Sequence, residues 1–323
     1  MSNLPCNHSP VGHIKAKHAI ANHKPAMQDG VSPSTVYLPE NGAIGNAHHY
    51  LSILDFLIAR FPTISAEIWH QRIAQQKIFD ANGQPIHQHT KYASHTKVYY
   101  YRELAKEIPV PFEAKILFKN EHLLVVDKPH FLAVSPTGRY VKETLLVRLK
   151  QQLNNPDISP IHRLDRETAG VIIFSLQPGT RAQYHKLFEQ HEVKKTYHAI
   201  ARHQPELQFP LTYQSHMTKG NPFFVMKEID EPANSFTQID LLKVNNDLAL
   251  YELKPISGKQ HQLRVHMAAL GMPILHDSFY PEIQFKNDND FSLPLQLLAK
   301  TIEFIDPISQ QKVCYYSEQD LHF

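Results

Sequence analysis

A carboxylate set between two arginines stands just ahead of an apolar run. The segment reads Pro160-Ile161-His162-Arg163-Leu164-Asp165-Arg166-Glu167-Thr168-Ala169-Gly170, followed by Val171-Ile172-Ile173-Phe174. An aspartate kept as its anion can act as a nucleophile or accept a proton. Dense charge is equally common in solvated loops, where an exposed ion pair contributes about 0–1 kcal/mol. A functional reading therefore needs a second element that explains the charges. Residues 254–267, KPISGKQHQLRVHM, supply one: a glycine-containing turn leads into a helix-like stretch dense in hydrogen-bonding side chains. Leu263, Val265 and Met267 are its apolar anchors.

The elements around these two segments follow from hydrophobic periodicity and turn signals. Strands are expected at 115–118 and 123–126 around Asn120-Glu121, then a helix near 144–153 and a strand at 171–175. A helix near 179–190 carries Tyr184, Leu187 and Phe188 as its stripe, and strands are expected at 196–202, 235–244 and 248–254. A helix near 260–270 and a strand pair between 297 and 316 close the chain. Strand-rich runs without helical crossovers predict a largely antiparallel α+β domain with flanking helices, not a doubly wound sheet. No Gly-rich phosphate loop is present.

Upstream, Leu51, Leu54, Leu57 and Ile58 fall at helical spacing, and Pro62 ends that helix. Ser65 is a candidate N-cap for a second helix carrying Ile68, Trp69, Arg72 and Ile73. An Asp80–Gly83 turn and a strand ending at Tyr101 complete a small α/β unit. The expected boundaries are a flexible His-rich leader at 1–45, the small unit at 46–103, an extended linker at 104–113 and a large domain at 114–323. In the leader His8, His13, His18 and His23 recur every fifth position. Such a step advances about 500° on a helix, so the four share no face. A mobile leader is preferred there over a metal-binding tail.

Composition bounds the rest. The chain has 323 residues, 42% of them hydrophobic, enough for a large core plus a smaller unit. A formal charge of +2 announces no nucleic-acid partner, so that case must rest on local charge and motifs. Two cysteines, Cys6 and Cys314, give neither a disulfide framework nor zinc spacing. No stretch reaches the length of a membrane span, and the first residues lack a secretory layout. A cytoplasmic protein is expected.

The two chemical segments together resemble the RluA family of RNA pseudouridine synthases, whose signatures read HRLDxxTSG and TGRxHQxRVH. Here they read HRLDRETAG from His162 and SGKQHQLRVH from Ser257. Lys195-Thr196-Tyr197-His198-Ala199 is similar to the family's KxYxA strand. Gly271-Met272-Pro273-Ile274, with Asp277 and Tyr280, is similar to its GxPIxGDxxY stretch. The four motifs keep the family's order, and the resemblance runs from about 114 to 307.

The resemblance implies a sheet of the pseudouridine synthase type and a reaction that turns uridine in rRNA or tRNA into pseudouridine. It implies Asp165 as the catalytic carboxylate, Tyr197 as the ring stacking on the target base and Arg264 as the arginine pairing with the aspartate. A bidentate grip on Asp165 is expected of that arginine. Arg163 matches an arginine that enters the RNA stack when the target leaves it, and His162 is expected to help hold the loop. Arg166, Lys194, Lys195 and Lys259 are the further candidates for RNA contact. The chemistry needs no cofactor and no metal, and neither a membrane nor an obligate protein partner is inferred. The small unit resembles the ribosomal-protein-type RNA-binding domain that often precedes such enzymes, with a purely structural domain as the alternative.

Departures from the family pattern are Lys259 for arginine, Ser257 for threonine, Ala169 for serine and His276 for glycine. Leu297-Leu298-Ala299 replaces Leu-His-Ala, which puts Lys259 and Leu298 among residues expected to face nucleic acid. A competing reading is an inactive RNA-binding or ribosome-assembly factor of the same fold. A hydrolase using Asp165, His162 and a serine ranks last, for want of a nucleophile elbow.

Overall fold

Apolar runs that alternate between two covering layers set the architecture. The structure, a computed structural model, describes residues 24–42, 49–104, 107–287 and 289–323, and these divide into two units described separately. The histidines at 8, 13, 18 and 23 lie outside the described residues.

The small unit holds the described residues from 33 to 101 and residues 24–26. It contains β1 (Ser34–Tyr37), α1 (Ile53–Arg60), α2 (Ala66–Ala74), β2 (Ile78–Phe79) and β3 (Lys97–Tyr100). Its strands form an antiparallel sheet in the order β1-β3-β2. Ser52 starts α1 with a reciprocal capping box: Asp55 N–H donates to its hydroxyl, and its own N–H donates to the Asp55 carboxylate. Ser65 occupies the N-cap of α2 in extended backbone without a side-chain cap bond. Leu38, Leu57, Trp69 and Ile78 make the centre of the core. The Arg72 guanidinium lies 5.0 Å from the Trp69 ring and is itself buried. The expected leader thus contributes β1 to this sheet, so the unit begins well before residue 46.

The large unit comprises Met27–Ser32 and Arg102–Phe323. In chain order its elements are β4 (Lys115–Lys119), β5 (Leu123–Lys128), α3 (Leu145–Gln152), β6 (Ser159–Pro160), β7 (Ala169–Ser175), α4 (Pro178–Glu189), β8 (Lys194–Arg202), β9 (Leu211–Lys219), β10 (Met226–Ile229), β11 (Ser235–Asn245), β12 (Leu248–Pro255), α5 (Gln262–Ala269), β13 (Leu297–Ile305) and β14 (Lys312–Tyr316). Among the described residues these strands form one sheet in the order β10-β9-β11-β12-β8-β13-β7-β5-β4, with β14 added to β13 and β6 to β7. Every pairing is antiparallel except β13 with β7. The expected mixed, largely antiparallel α+β fold is what the chain adopts.

β5 and β7 are buried along their whole length because each face of them has a helix. Leu124, Val126, Ile172 and Phe174 point to α3 with Leu145 and Leu149, whereas Leu123, Val125, Val171 and Ile173 point to α4 with Tyr184 and Leu187. Period-two alternation therefore splits one apolar run between two cores. Across the sheet, Ala199, Ile239, Tyr251 and Leu253 pack with Leu263 and Met267 of α5.

Two segments differ from the expected boundaries. Val31 packs with Val141 and Val147, so residues 27–32 lie on the large unit. Val110, expected in a free linker, is buried in the core, with its N–H bonded to Glu143. Apolar side chains in these two stretches find cover that composition alone does not reveal.

The β7–β13 contact brings the chemical segments together. Ala299 of β13 is paired with Gly170 on one side and with Tyr197 of β8 on the other. Gly170 has φ +111°, and a Cβ there would lie 2.2 Å from the Ala299 carbonyl oxygen. Only glycine permits both that backbone and that approach.

Candidate active site

Asp165 lies on the loop between β6 and β7, so the end of a fully buried strand fixes its position. The loop turns back on itself through the Thr168 N–H, which donates to the Asp165 carbonyl at 3.1 Å. Beneath it, the fully buried Lys128 ammonium donates to the carbonyls of Pro129, Leu132 and Arg166 at 2.9–3.1 Å. Burial lowers the pKa of Lys128 to about 7, against the pull of Glu167 and Asp165. His162 stacks on Phe188 with ring centroids 4.8 Å apart, and its Nε2 accepts the Ile173 N–H at 3.2 Å. Desolvation, then the Lys195 charge, lowers its pKa to about 3, so it serves as a neutral acceptor. One ring nitrogen of His162 is thus already engaged by the backbone of β7.

Arg264, on α5, is 1% exposed and directs its fork away from Asp165. Its Nε and Nη2 donate to the two carboxylate oxygens of Asp277 at 2.8 and 2.7 Å. Only Nη1 faces Asp165, 3.8 Å from Oδ2, which is charge proximity and no hydrogen bond. The expected bidentate grip on Asp165 is therefore corrected: Asp277 takes the fork and leaves one nitrogen for Asp165. Asp277 is held in turn by the N–H groups of Phe279 and Tyr280 at 2.8 and 3.1 Å. Desolvation is the largest single influence on Arg264 and lowers its pKa, but the Asp277 hydrogen bonds and the charges of Asp277 and Asp165 together outweigh it, so the pKa is raised and the guanidinium stays charged.

His261, at the N-cap of α5 with φ 54°, is the second group facing Asp165: its Nε2 lies 3.8 Å from Oδ2. Its Nδ1 is 2.8 Å from the Tyr280 hydroxyl, and that oxygen accepts the Met226 N–H at 2.8 Å. Burial lowers the pKa of His261, which favours the neutral ring, and Nε2 is the ring nitrogen turned toward Asp165. Residue types alone did not reveal the roles of Asp277 and His261. The only sequence signal was their presence within the two matched stretches.

Ser257, Gln262 and His266 of the 257–266 motif are scaffold. Ser257 donates to the Gln262 side-chain oxygen at 2.7 Å, and Gln262 donates to the Phe236 carbonyl and the Thr237 hydroxyl at 2.9 Å. His266, fully buried, bonds Thr237 through Nδ1 and Ser235 through Nε2. Burial lowers its pKa to about 4. The unfolded chain thus binds the proton more readily, and stability is lost as pH falls from the unfolded value near 6.5 toward 4. His266 alone should cost about 2 kcal/mol between pH 7 and pH 5. Denaturant unfolding at both pH values, with a His266→Gln control that loses this dependence, measures it.

A cavity of about 270 Å³ gathers these groups. Asp165, Tyr197, Arg264, His162, Arg163, Lys195 and Lys259 all line it. Burial, then the Asp165 charge, raises the pKa of Tyr197, so the phenol stays neutral. Two expected residues do not join them. Arg166 turns to a neighbouring cavity and pairs with Glu167. Lys194 is exposed at the start of β8, 3.7 Å from Glu303. Leu298 is fully buried in β13 and does not face nucleic acid; Leu297 lines the cavity instead. Among the described residues no three His, Cys, Asp or Glu side chains are grouped to hold a metal ion, and no helix is long and apolar enough to cross a membrane.

Comparison with known proteins identifies the family. The family model described as RNA pseudouridylate synthase matches residues 122–269. The tRNA pseudouridine synthase C of Vibrio parahaemolyticus is 31% identical over 221 residues, covering 63% of this chain and 89% of that protein. The dual-specificity RNA pseudouridine synthase RluA of Haemophilus influenzae is 29% identical over 214 residues, covering 64% and 93%. In fold, the chain matches human RNA pseudouridylate synthase domain containing 1 with a TM-score of 0.53 at 23% identity, over 65% of this chain and 86% of that one. Those findings, with three of the four motifs converging on one cavity, establish that the chain belongs to the RluA-type family of RNA pseudouridine synthases, which are isomerases.

Proposed function

We propose that the chain isomerises particular uridines of structured RNA, tRNA or rRNA, with Asp165 as its catalytic carboxylate. The observation that carries this reading is convergence: a loop, a strand and a helix far apart in sequence bring Asp165, Tyr197 and Arg264 to one cavity. Isomerisation breaks the bond from ribose C1′ to uracil N1 and forms one from C1′ to C5. The C5 proton leaves to solvent and N1 gains one, so no redox partner is needed. A stacked base cannot turn, so the target is flipped out at a cost of about a few kcal/mol. Arg163, exposed at the cavity rim, fills the vacated stack and offsets part of that cost. Asp165 attacks C1′ or removes the adjacent ribose proton, and Tyr197 offers a flat face along which the detached uracil rotates. Arg264 Nη1 and His261 Nε2, each 3.8 Å from Oδ2, face the carboxylate and orient it.

The relative named for tRNA supports a tRNA substrate, and the one named for dual specificity supports action on more than one RNA. The purified protein should release tritium from 5-tritiated uridine in bulk RNA without added metal or cofactor. No release from tRNA or rRNA under any salt condition contradicts the reading.

Lys195 and Lys259 are the charges best placed for backbone phosphates, since both line the cavity. Replacing both with alanine should make the slope of log affinity against log salt shallower by about 1.4 on single-stranded RNA. Lys194→Ala should leave the slope nearly unchanged. Filter binding across a salt series checks both.

A further inference from the structure

A second cavity, of about 500 Å³, is lined in part by Arg166 and Glu167, the two residues that follow Asp165. Phe279 forms the partition: its ring is 5.0 Å from the Arg264 guanidinium and 5.7 Å from the His261 ring, and it lines the second cavity. Arg166, the residue after Asp165, also turns into it. The guanidinium lies 5.0 Å from the Tyr140 ring and 5.8 Å from the Phe131 ring. Its Nη1 pairs with Glu167, while its buried Nε has no hydrogen-bond partner. On the rim, Phe285 is 87% exposed beside Lys286.

The size falls within the range of about 300–1,000 Å³ usual for ligand sites. The lining charges are Arg139, Arg166 and Lys286 against Glu167 and Asp290, a net excess of one positive charge. Aromatic faces interleaved with cations suit a nucleobase and its phosphate better than an apolar ligand or an acidic one, because every base has a face to stack and every nucleotide a negative charge. The cavity also adjoins the candidate active site: Arg166 follows Asp165 in the chain, and Phe279 lies against Arg264 of the first cavity. An RNA strand with its target base in the first cavity carries neighbouring nucleotides across that partition.

Resting on the proposed function, we infer that the second cavity is a nucleobase site for a nucleotide flanking the target uridine. The base stacks on Phe285 and the aromatic wall, and Lys286 faces its phosphate. The exposed Phe285 has no folding role to explain it, and His276 is a neighbour that departs from the family's glycine, so this wall is a place where the chain sets its own substrate preference.

The test uses a synthetic stem-loop carrying a uridine that the wild type converts, in versions with an abasic nucleotide at each position flanking it. Phe285→Ala should raise KM about 10-fold with kcat retained. In the wild type, an abasic nucleotide at one flanking position should give a similar rise, and the two losses should not add at that position. A Phe285→Ala enzyme with wild-type KM, or losses that add at every position, overturns the site. Tritium release is read in the same samples. Release by the wild type with no effect of Phe285→Ala defeats the second site alone, whereas no release defeats the functional reading under it.

Discussion

Asp165→Asn is expected to lower tritium release from RNA by at least about 10⁴-fold, the upper range for removal of a positioned acid–base group. The amide keeps the shape of the side chain but can neither attack C1′ nor accept a ribose proton. RNA affinity should persist. Arg163, Lys195 and Lys259 line the same cavity without depending on the Asp165 charge for their placement. The loop also keeps its ties, because the Lys128 bonds and the His162–Ile173 bond involve backbone atoms rather than the carboxylate. Filter binding alongside the release assay separates the two properties. A variant with near-normal release shows that another group performs the chemistry.

Arg264→Lys should fail although it conserves charge. Two of the guanidinium nitrogens are committed to Asp277 and a third faces Asp165, a geometry that one ammonium cannot reproduce. A single-turnover rate lower by about 10²–10³ is expected, the cost of removing one preorganised donor. Asp277→Asn approaches the same arrangement from behind. It leaves a buried guanidinium without its anion, a change that costs about 3–5 kcal/mol when a buried pair is broken. Its unfolding midpoint should fall, and the protein that remains folded should convert RNA slowly because nothing fixes Arg264. Stopped single-turnover assays and denaturant melts of both variants distinguish these effects. A wild-type rate in Arg264→Lys shows that the fork does not orient the carboxylate.

What was legible in the sequence follows from where information is local. Periodicity located α1, α2, α4 and most strands of the large unit, because their apolar faces repeat within one element. β1, β6, β9 and β10 were not read. β9, LTYQSHMTK, carries Gln, Ser, His and Lys among its apolar residues and is mostly half-exposed, so its strand character comes from pairing with β11 and β10 rather than from its own pattern. At the site, motif matching named Asp165, Tyr197 and Arg264, which line one cavity. The carboxylate that takes the Arg264 fork stood in a matched stretch 13 residues on, with nothing local to distinguish it from a surface aspartate. The placement of His261 depends on a tyrosine and a backbone amide from two other segments. Lys194 and Lys195 are neighbours in sequence, yet strand alternation sends only Lys195 to the cavity.

The most direct measurement is carbodiimide mapping of pseudouridine in the tRNA and rRNA of cells that lack this protein, carry it, or carry Asp165→Asn at equal abundance. One or a few uridines should be modified only with the wild-type chain present and stay unmodified with Asp165→Asn. An identical pseudouridine pattern in all three strains, or full restoration by Asp165→Asn, contradicts the assignment of Asp165-dependent uridine isomerisation to this chain.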